Sequence, residues 1–368
     1  MRPVRSPRYD VIVVGGGPAG CSAAITAARG GARVLLLERD AEARDRPGET
    51  FHPGIEPLLT RLGAGEALHA ATELRHDGHW VRLGGRRRFQ AFGRDESGPW
   101  RGFQARRSRL DAGLRACAAE AGAERREGVA VSEAKRARDG RVIGVITSAG
   151  ERIPAGVVID ASGGRHWLAR RLGIGVRRLS PRYIATYGYG QAGGLPRGPA
   201  PPTEPEFHLD RTGWTWIAPV APGRWHWTRL SFGGRRTPPD WIPRPLAAVE
   251  PCGPSRGADM TWRVARTVAG PGWALAGDAA AVLDPASSHG VLRAVLTGEA
   301  AGRLALDRSP EAWLAYDAWL KAAVTADIEA LRSLYPPSRR REKTLPTAGA
   351  DCAKATATLS SGLRLSRT

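Results

Sequence analysis

The sequence predicts an α/β protein in two parts, a larger domain on a parallel sheet and a smaller domain on an antiparallel sheet. Three features carry the prediction: a strand, loop, helix and strand unit over residues 9–38, a later apolar strand ending at Gly277 and Asp278, and short alternating segments between about residues 174 and 265. The 368-residue length favours two domains, and 42% hydrophobic with 25% charged residues is an ordinary globular balance.

The first element is "YDVIVV" from Tyr9, a β-branched run typical of a buried strand. The glycines of "GGGPAG", Gly15 to Gly20, come next, and "PAGCSAAITAARGG" then reads as a helix closed by Gly30 and Gly31. "ARVLLLE" is a second strand ending at Glu38. A unit of this order and length is a Rossmann-like mononucleotide fold. Gly15 allows the tight turn, Gly17 lets the backbone approach a pyrophosphate, and Gly20 lets helix and strand pack closely. Pro18 and Ala19 open the helix, whose unpaired N–H groups face the phosphates. Glu38, followed by Arg39, stands where a carboxylate accepts hydrogen bonds from ribose hydroxyls.

The same G-x-G-x-x-G spelling recurs as "GYGQAG", Gly188 to Gly193, but in a different context. It follows a strand, "RYIATY", and runs into "GLPRGPAPPTEPE", whose prolines forbid the helix that would bind phosphate. It reads as a strand end or bulge, and no second nucleotide fold is visible.

The remaining motifs point to FAD as the dinucleotide. "GWALAGDAA" is a short strand ending at Gly277 and Asp278, a carboxylate placed to bond a ribityl chain. "AVLDPASSHGVLRAVLTGEAAGRLAL" then supplies Pro285 and two serines in a stiff turn before a helix from Gly290. Aimed at a flavin ring, that helix N-terminus favours the negative charge that reduction creates at N1 and the C2 carbonyl. The alternative is that Ser287 or Ser288 serves only as a helix N-cap. Further segments are "VVIDASGG" (Val157 to Gly164), the helix "RRSRLDAGLRACAAEAGA" with Arg107 at its mouth, and "RPGETFHPGIEPLLTRLG" with Glu49 and His52.

In this order the segments resemble the flavoproteins of the para-hydroxybenzoate-hydroxylase fold, and within them the branch of flavin-dependent halogenases and related hydroxylases. The resemblance is carried by "GET", by "WTWIAP" (Trp214 to Pro219) and by "DPASSHGV" (Asp284 to Val291), and spans residues 9 to about 330. "DPASSHGV" is also similar to flavoproteins that oxygenate a peptidyl tryptophan while maturing quinone-cofactor enzymes. The resemblance implies an FAD-dependent monooxygenase: reduced flavin meets O2, and one oxygen atom passes to an electron-rich aromatic ring, an indole or peptidyl tryptophan among them. Without a second nucleotide fold, the electrons come from NAD(P)H bound transiently at the surface or from a separate flavin reductase as partner.

Three other readings compete. Halogenases of this branch use a lysine downstream of the flavin motif, and here no lysine precedes Lys135. Reductases of isoprenoid double bonds share the "VVIDASG" and Gly-Asp segments. A flavin-free binding module recruited by positive charge is the fourth possibility.

Between residues 174 and 265, runs such as "RYIATYGYG", "EFHLDRTGWTWIAP" and "GRWHWTRLSF" alternate with period two between Gly and Pro turns, which predicts an antiparallel sheet. "GHWVRLGGRRRFQAFG" joins it. The expected domains are FAD-binding over 8–75, 100–173 and 266–332, substrate-binding over 76–99 and 174–265, and a disordered basic tail over 336–368. Trp214 and Trp216 share one strand face, as do Trp225 and Trp227. The first pair either stacks on an aromatic substrate or fills the interface between domains. His52, His289 and Glu49 are the candidate acids or bases near the reacting atoms, with a structural role as the alternative for each histidine.

The net charge is +19, and only four of the 55 basic residues are lysines. This is either a solvated arginine-rich surface or a face for an acidic protein or peptide substrate. No RRM, helix-turn-helix or zinc-finger spacing appears, so a nucleic-acid partner is not expected. Cys21, Cys117, Cys252 and Cys352 lie far apart, which predicts reduced thiols, no metal site and a cytoplasmic location. The uncharged stretch from Val11 to Ala28 holds four glycines and a proline, poor material for a signal sequence or membrane span.

Overall fold

A computed structural model describes residues 9–96, 98–193 and 200–335. The expected basic tail, 336–368, lies outside the described residues.

Strand Tyr9–Val14 sits at the middle of an eight-stranded sheet. It pairs in parallel with Val34–Glu38 on one side and Arg152–Asp160 on the other. Glu124–Glu127 and Trp273–Leu275 extend the two sides, again in parallel. These strands are valine- and leucine-rich because both of their faces are covered, and Val11, Ile12, Leu35, Leu36 and Val158 are fully buried. Their carboxyl ends share one edge, where open parallel sheets bind ligands. The hairpin of Val131–Arg136 and Val142–Thr147 closes the sheet in the antiparallel sense.

Helix Pro18–Arg29 packs on helix Gly290–Asp307 along the glycines of the latter. A Cβ on Gly298 would run into the Ala19 carbonyl, and one on Gly302 would lie 2.7 Å from the Ala23 carbonyl oxygen. This close approach links the amino-terminal nucleotide unit to the segment that follows Asp278.

The second sheet runs in the order Val249–Pro251, Tyr183–Ala192, Arg224–Phe232, Gly213–Ala221, Glu206–Asp210, Gly78–Leu83 and Arg86–Ala91, with Arg256–Asp259 also on Tyr183–Ala192. One pair corrects the antiparallel expectation: Glu206–Asp210 and Gly78–Leu83 run parallel. They come from distant parts of the chain, so no hairpin fixes their relative direction. Alternation places Tyr187, Tyr189, Trp214, Trp216, His226 and Thr228 on one face. Trp227 turns to the other face, packing with Ile217, Leu246 and Val249, and Trp225 lies against the same cluster.

The second glycine motif lies largely inside strand Tyr183–Ala192, as its proline-rich sequel predicts. A Cβ on Gly188 would collide with Trp227, and one on Gly190 would stand 2.5 Å from Val249 Cγ1. These glycines make room for packing, not for a phosphate.

Candidate active site

A cavity of about 650 Å³ opens between the carboxyl edge of the parallel sheet and the inner face of the second sheet. Gly15, Gly17, Pro18, Ala19, Glu38, Arg39, Glu49, Arg107, Asp278, Pro285, Ser288 and Gly290 line one side of it. Tyr187, Phe207, Trp214, Trp216, His226 and Thr228 line the other. Gly17 and Asp278, far apart in sequence, therefore share one cleft.

The glycines divide by role. Gly15 adopts a left-handed φ of 109°, and a Cβ there would sit 2.5 Å from the Ala161 carbonyl oxygen. Gly20 packs against the Gly15 carbonyl, and Gly277 against Ala19, so both build the wall without lining the cavity. Gly17 and Gly290 differ: a Cβ on either meets no protein atom within 4 Å and would project into empty cradle space. Each stands at the amino end of a helix, where free N–H groups attract anionic ligand atoms.

Glu38 braces the loop it follows. Its Oε2 accepts from the Gly16 N–H at 2.6 Å and its Oε1 from Asp40 N–H at 3.0 Å. Buried Arg115, absent from the sequence-based candidates, donates from Nε to the Gly16 carbonyl at 3.1 Å. Arg39 is exposed at the cavity rim. Arg107 is held at the mouth of its helix by Asp111, with Nη2 at 3.2 and 3.1 Å from the two carboxylate oxygens. Asp278 is half-exposed and stands 3.7 Å from Arg293, whose other nitrogen pairs with Asp327 at 3.1 Å. Arg293 is buried and lines the cavity. Its position three residues after Gly290 puts it on the same helix face, a spacing from which it was legible.

Asp284 opens the turn before helix Gly290–Asp307. Its Oδ1 accepts from Ala286 N–H at 3.0 Å, capping the turn, and its Oδ2 accepts from Trp262 Nε1 at 2.5 Å and Tyr335 OH at 2.6 Å. Trp214 Nε1 donates to the Tyr335 oxygen at 3.1 Å. Burial raises the Asp284 pKa above its ordinary value, against the pull of these donors. The N-cap alternative for Ser288 is not what the structure has: the helix N-cap residue is His289, whose side chain does not cap the helix, and Ser288 takes a left-handed φ of 54°.

The three acid–base candidates separate. Glu49 lines the cavity, and its Oε1 accepts from Tyr189 OH at 2.5 Å. Burial pushes its pKa up to about 7, and the Tyr189 bond opposes that rise. His52 and His289 do not line the cavity; their rings lie 5.9 Å apart, and His52 stacks edge-on against Phe92 at 5.2 Å. His76 and His79 approach the same Phe92 ring. Burial holds His52, His76 and His79 down to about 4, so all three are neutral. The His52 ring packs on Phe92 and the His289 ring on His52, and neither histidine lines the cavity. Among the described residues, no group of three or more His, Cys, Asp or Glu side chains is placed to hold a metal.

Trp216 is partly exposed in the cavity, whereas Trp214 is 1% exposed and packs on Phe207. Sequence reading missed Tyr187, Tyr189, Phe207 and His226, although strand alternation places the tyrosines on one face.

The two open glycine cradles, the carboxylate at the end of the second strand and the Gly277-Asp278 turn in one cavity fit FAD. Gly17 and Gly290 would offer helix N–H groups to it, and Asp278 a carboxylate to its hydroxyls. The chain matches the family described as FAD binding domain over residues 8–187. It is 32% identical over 325 residues to the menaquinone reductase of Mycolicibacterium smegmatis, covering 81% of this chain and 76% of that protein. It is 28% identical to the 1H-pyrrole-2-carbonyl-[peptidyl-carrier protein] brominase of Pseudoalteromonas luteoviolacea, over 79% of this chain and 75% of the relative. The solved flavin-dependent brominase Bmp2 shares the fold with a TM-score of 0.77 at 23% identity, over 89% of this chain and 87% of that one.

The chain therefore belongs to the FAD-binding flavoproteins, in a family with the menaquinone reductase of Mycolicibacterium smegmatis. It is a flavin-dependent oxidoreductase in fold and family, with relatives that include reductases, halogenases and monooxygenases. No helix among the described residues is long and apolar enough to cross a membrane.

Proposed function

We propose that the protein is an FAD-dependent monooxygenase that hydroxylates an electron-rich aromatic ring. The observation that carries this reading is the continuity of the cavity from Gly17 and Glu38 to a wall of Tyr187, Phe207, Trp214 and Trp216. A flat ring stacks on such side chains and is held close to the flavin. Bound FAD, once reduced by NAD(P)H or by a reductase partner, supplies the activation of O2. The protein's own work is to orient and to keep water out. Helix N–H groups at Gly17 and Gly290 hold the anionic and electron-rich parts of the cofactor, Arg293 balances Asp278, and the second sheet covers the ring.

Among the described residues no lysine lines the cavity, which supports oxygenation over halogenation. Lys135 is exposed on the outer strand Val131–Arg136, and Lys321 pairs with Asp317 at 2.6 Å. The menaquinone reductase relative favours a second reading, a reductase in place of an oxygenase, for which the sequence offers the reductases of isoprenoid double bonds. The two differ in their need for oxygen. FAD-loaded protein given dithionite-reduced flavin, O2 and an indole is expected to yield a hydroxylated ring. Turnover of a prenylated quinone under anaerobic conditions, with no oxygenated product from aromatic probes in air, would establish the reductase reading instead.

A further inference from the structure

Glu49 is 6% exposed and faces the cavity, yet only one of its carboxyl oxygens is bonded. Oε1 accepts from Tyr189, while Oε2 is buried with no hydrogen-bond partner. A buried acceptor left open costs about 1–3 kcal/mol, which a ligand with a donor recovers. The residue is rigidly presented: its backbone carbonyl accepts from Ala105 N–H at 2.9 Å, and the preceding Gly48 has a left-handed φ of 103°.

The surrounding charges narrow the donor. Among the described residues the sheet wall of the cavity has no arginine or lysine, and His226 is buried and held down to about 3, hence neutral. An anionic group on the ring would find no counter-charge there. The cations of the cavity, Arg39, Arg46, Arg107, Arg165 and Arg293, lie across from the sheet wall, on the side that also carries Glu49, and oppose a cationic ligand.

We propose that Glu49 Oε2 is the acceptor for the substrate, which is an uncharged aromatic ring bearing an N–H or O–H donor, and that Tyr189 is the positioning residue that fixes the carboxyl. The proposal rests on the aromatic-ring reading above and names its substrate class. The groups that face the carboxyl are Tyr189 from strand Tyr183–Ala192, Arg107 from helix Arg107–Glu120 and Asp45 from the preceding loop, with His226 behind Tyr189. Deprotonation makes Glu49 the stronger acceptor, so donor binding strengthens as pH rises through about 7.

The test is ligand binding to the oxidised FAD-loaded protein, followed by the flavin absorbance change, with indole and with benzothiophene, which has the same shape but no N–H. Indole is expected to bind about tenfold tighter at pH 8.5. That preference should shrink as pH falls below 7. Glu49→Gln should flatten the pH profile. Tyr189→Phe should move its midpoint to higher pH, because the bond that opposes the raised pKa is gone. Equal affinities for the two ligands in the unmodified protein would overturn the proposal. So would an indole preference that ignores pH, or a Glu49→Gln variant whose flavin spectrum shifts while its ligand preference and pH profile stay unchanged, since that assigns Oε2 to the flavin. Because binding and not turnover is read, a protein that prefers indole yet does not hydroxylate it would refute the proposed reaction and leave this assignment standing.

Discussion

Single atoms decide much of this site. Gly20 has no room for even a methyl group against the Gly15 carbonyl, so Gly20→Ala should destabilise the protein by about 1–3 kcal/mol in urea unfolding, even without cofactor. Asp284 shows the same economy among polar groups, since a buried carboxyl is kept in place by Trp262 and Tyr335. Tyr335→Phe removes one donor and should cost about 1–3 kcal/mol in stability, measured by denaturant titration. It should also weaken FAD binding, because Asp284 caps the turn that leads to Gly290. An unchanged unfolding midpoint in Tyr335→Phe would mean that the hydrogen bond contributes nothing.

The elements carry these residues with different degrees of legibility. The first strand, its glycine loop and its helix are readable in the sequence because the instruction is local: a β-branched run, glycines at fixed offsets, then an apolar helix. The decoy at Gly188 is equally readable, since prolines exclude the helix it would need. What pattern reading does not supply is side-chain pairing between distant segments. Arg115 on Gly16, Tyr189 on Glu49 and Tyr335 on Asp284 each join parts of the chain that only folding brings together. His52 and His289 belong to motifs that do line the site, but the His52 ring packs on Phe92, supplied by a segment with no motif of its own, and the His289 ring packs on His52. Helix packing offers an element-scale test. Gly298→Val should force helix Gly290–Asp307 off helix Pro18–Arg29, lower the unfolding temperature and reduce FAD affinity together, because both cradles shift at once. Lower stability with unchanged FAD affinity would separate the helix contact from the cradle.

At the scale of the whole molecule, protonation and cofactor binding are the global tests. His52, His76 and His79 are held near 4 in the folded protein against an ordinary 6.5, so the unfolded chain binds more protons between those values. Their stability contribution is present above pH 6.5 and lost as pH falls toward 4. Glu49 acts oppositely between its ordinary 4.5 and about 7, where the folded state holds the extra proton, and burial raises Asp284 in the same sense, but buried His226, held down to about 3, joins the three histidines on the other side. Thermal unfolding followed from pH 8 to 4.5 should therefore show a net loss of stability on acidification. A flat profile would mean that the histidine cluster is hydrated.

The amino-terminal glycine loop and the turn before helix Gly290–Asp307 build one cavity, which fits one FAD. The direct measurement is equilibrium binding of FAD to the unmodified chain and to Gly17→Val and Gly290→Val, whose added side chains meet empty cradle space. The expected result is one FAD per chain in the unmodified protein, with binding weakened at least about tenfold in each variant while the apo proteins stay folded. Full FAD affinity in both folded variants would mean that the two glycine cradles do not hold the cofactor.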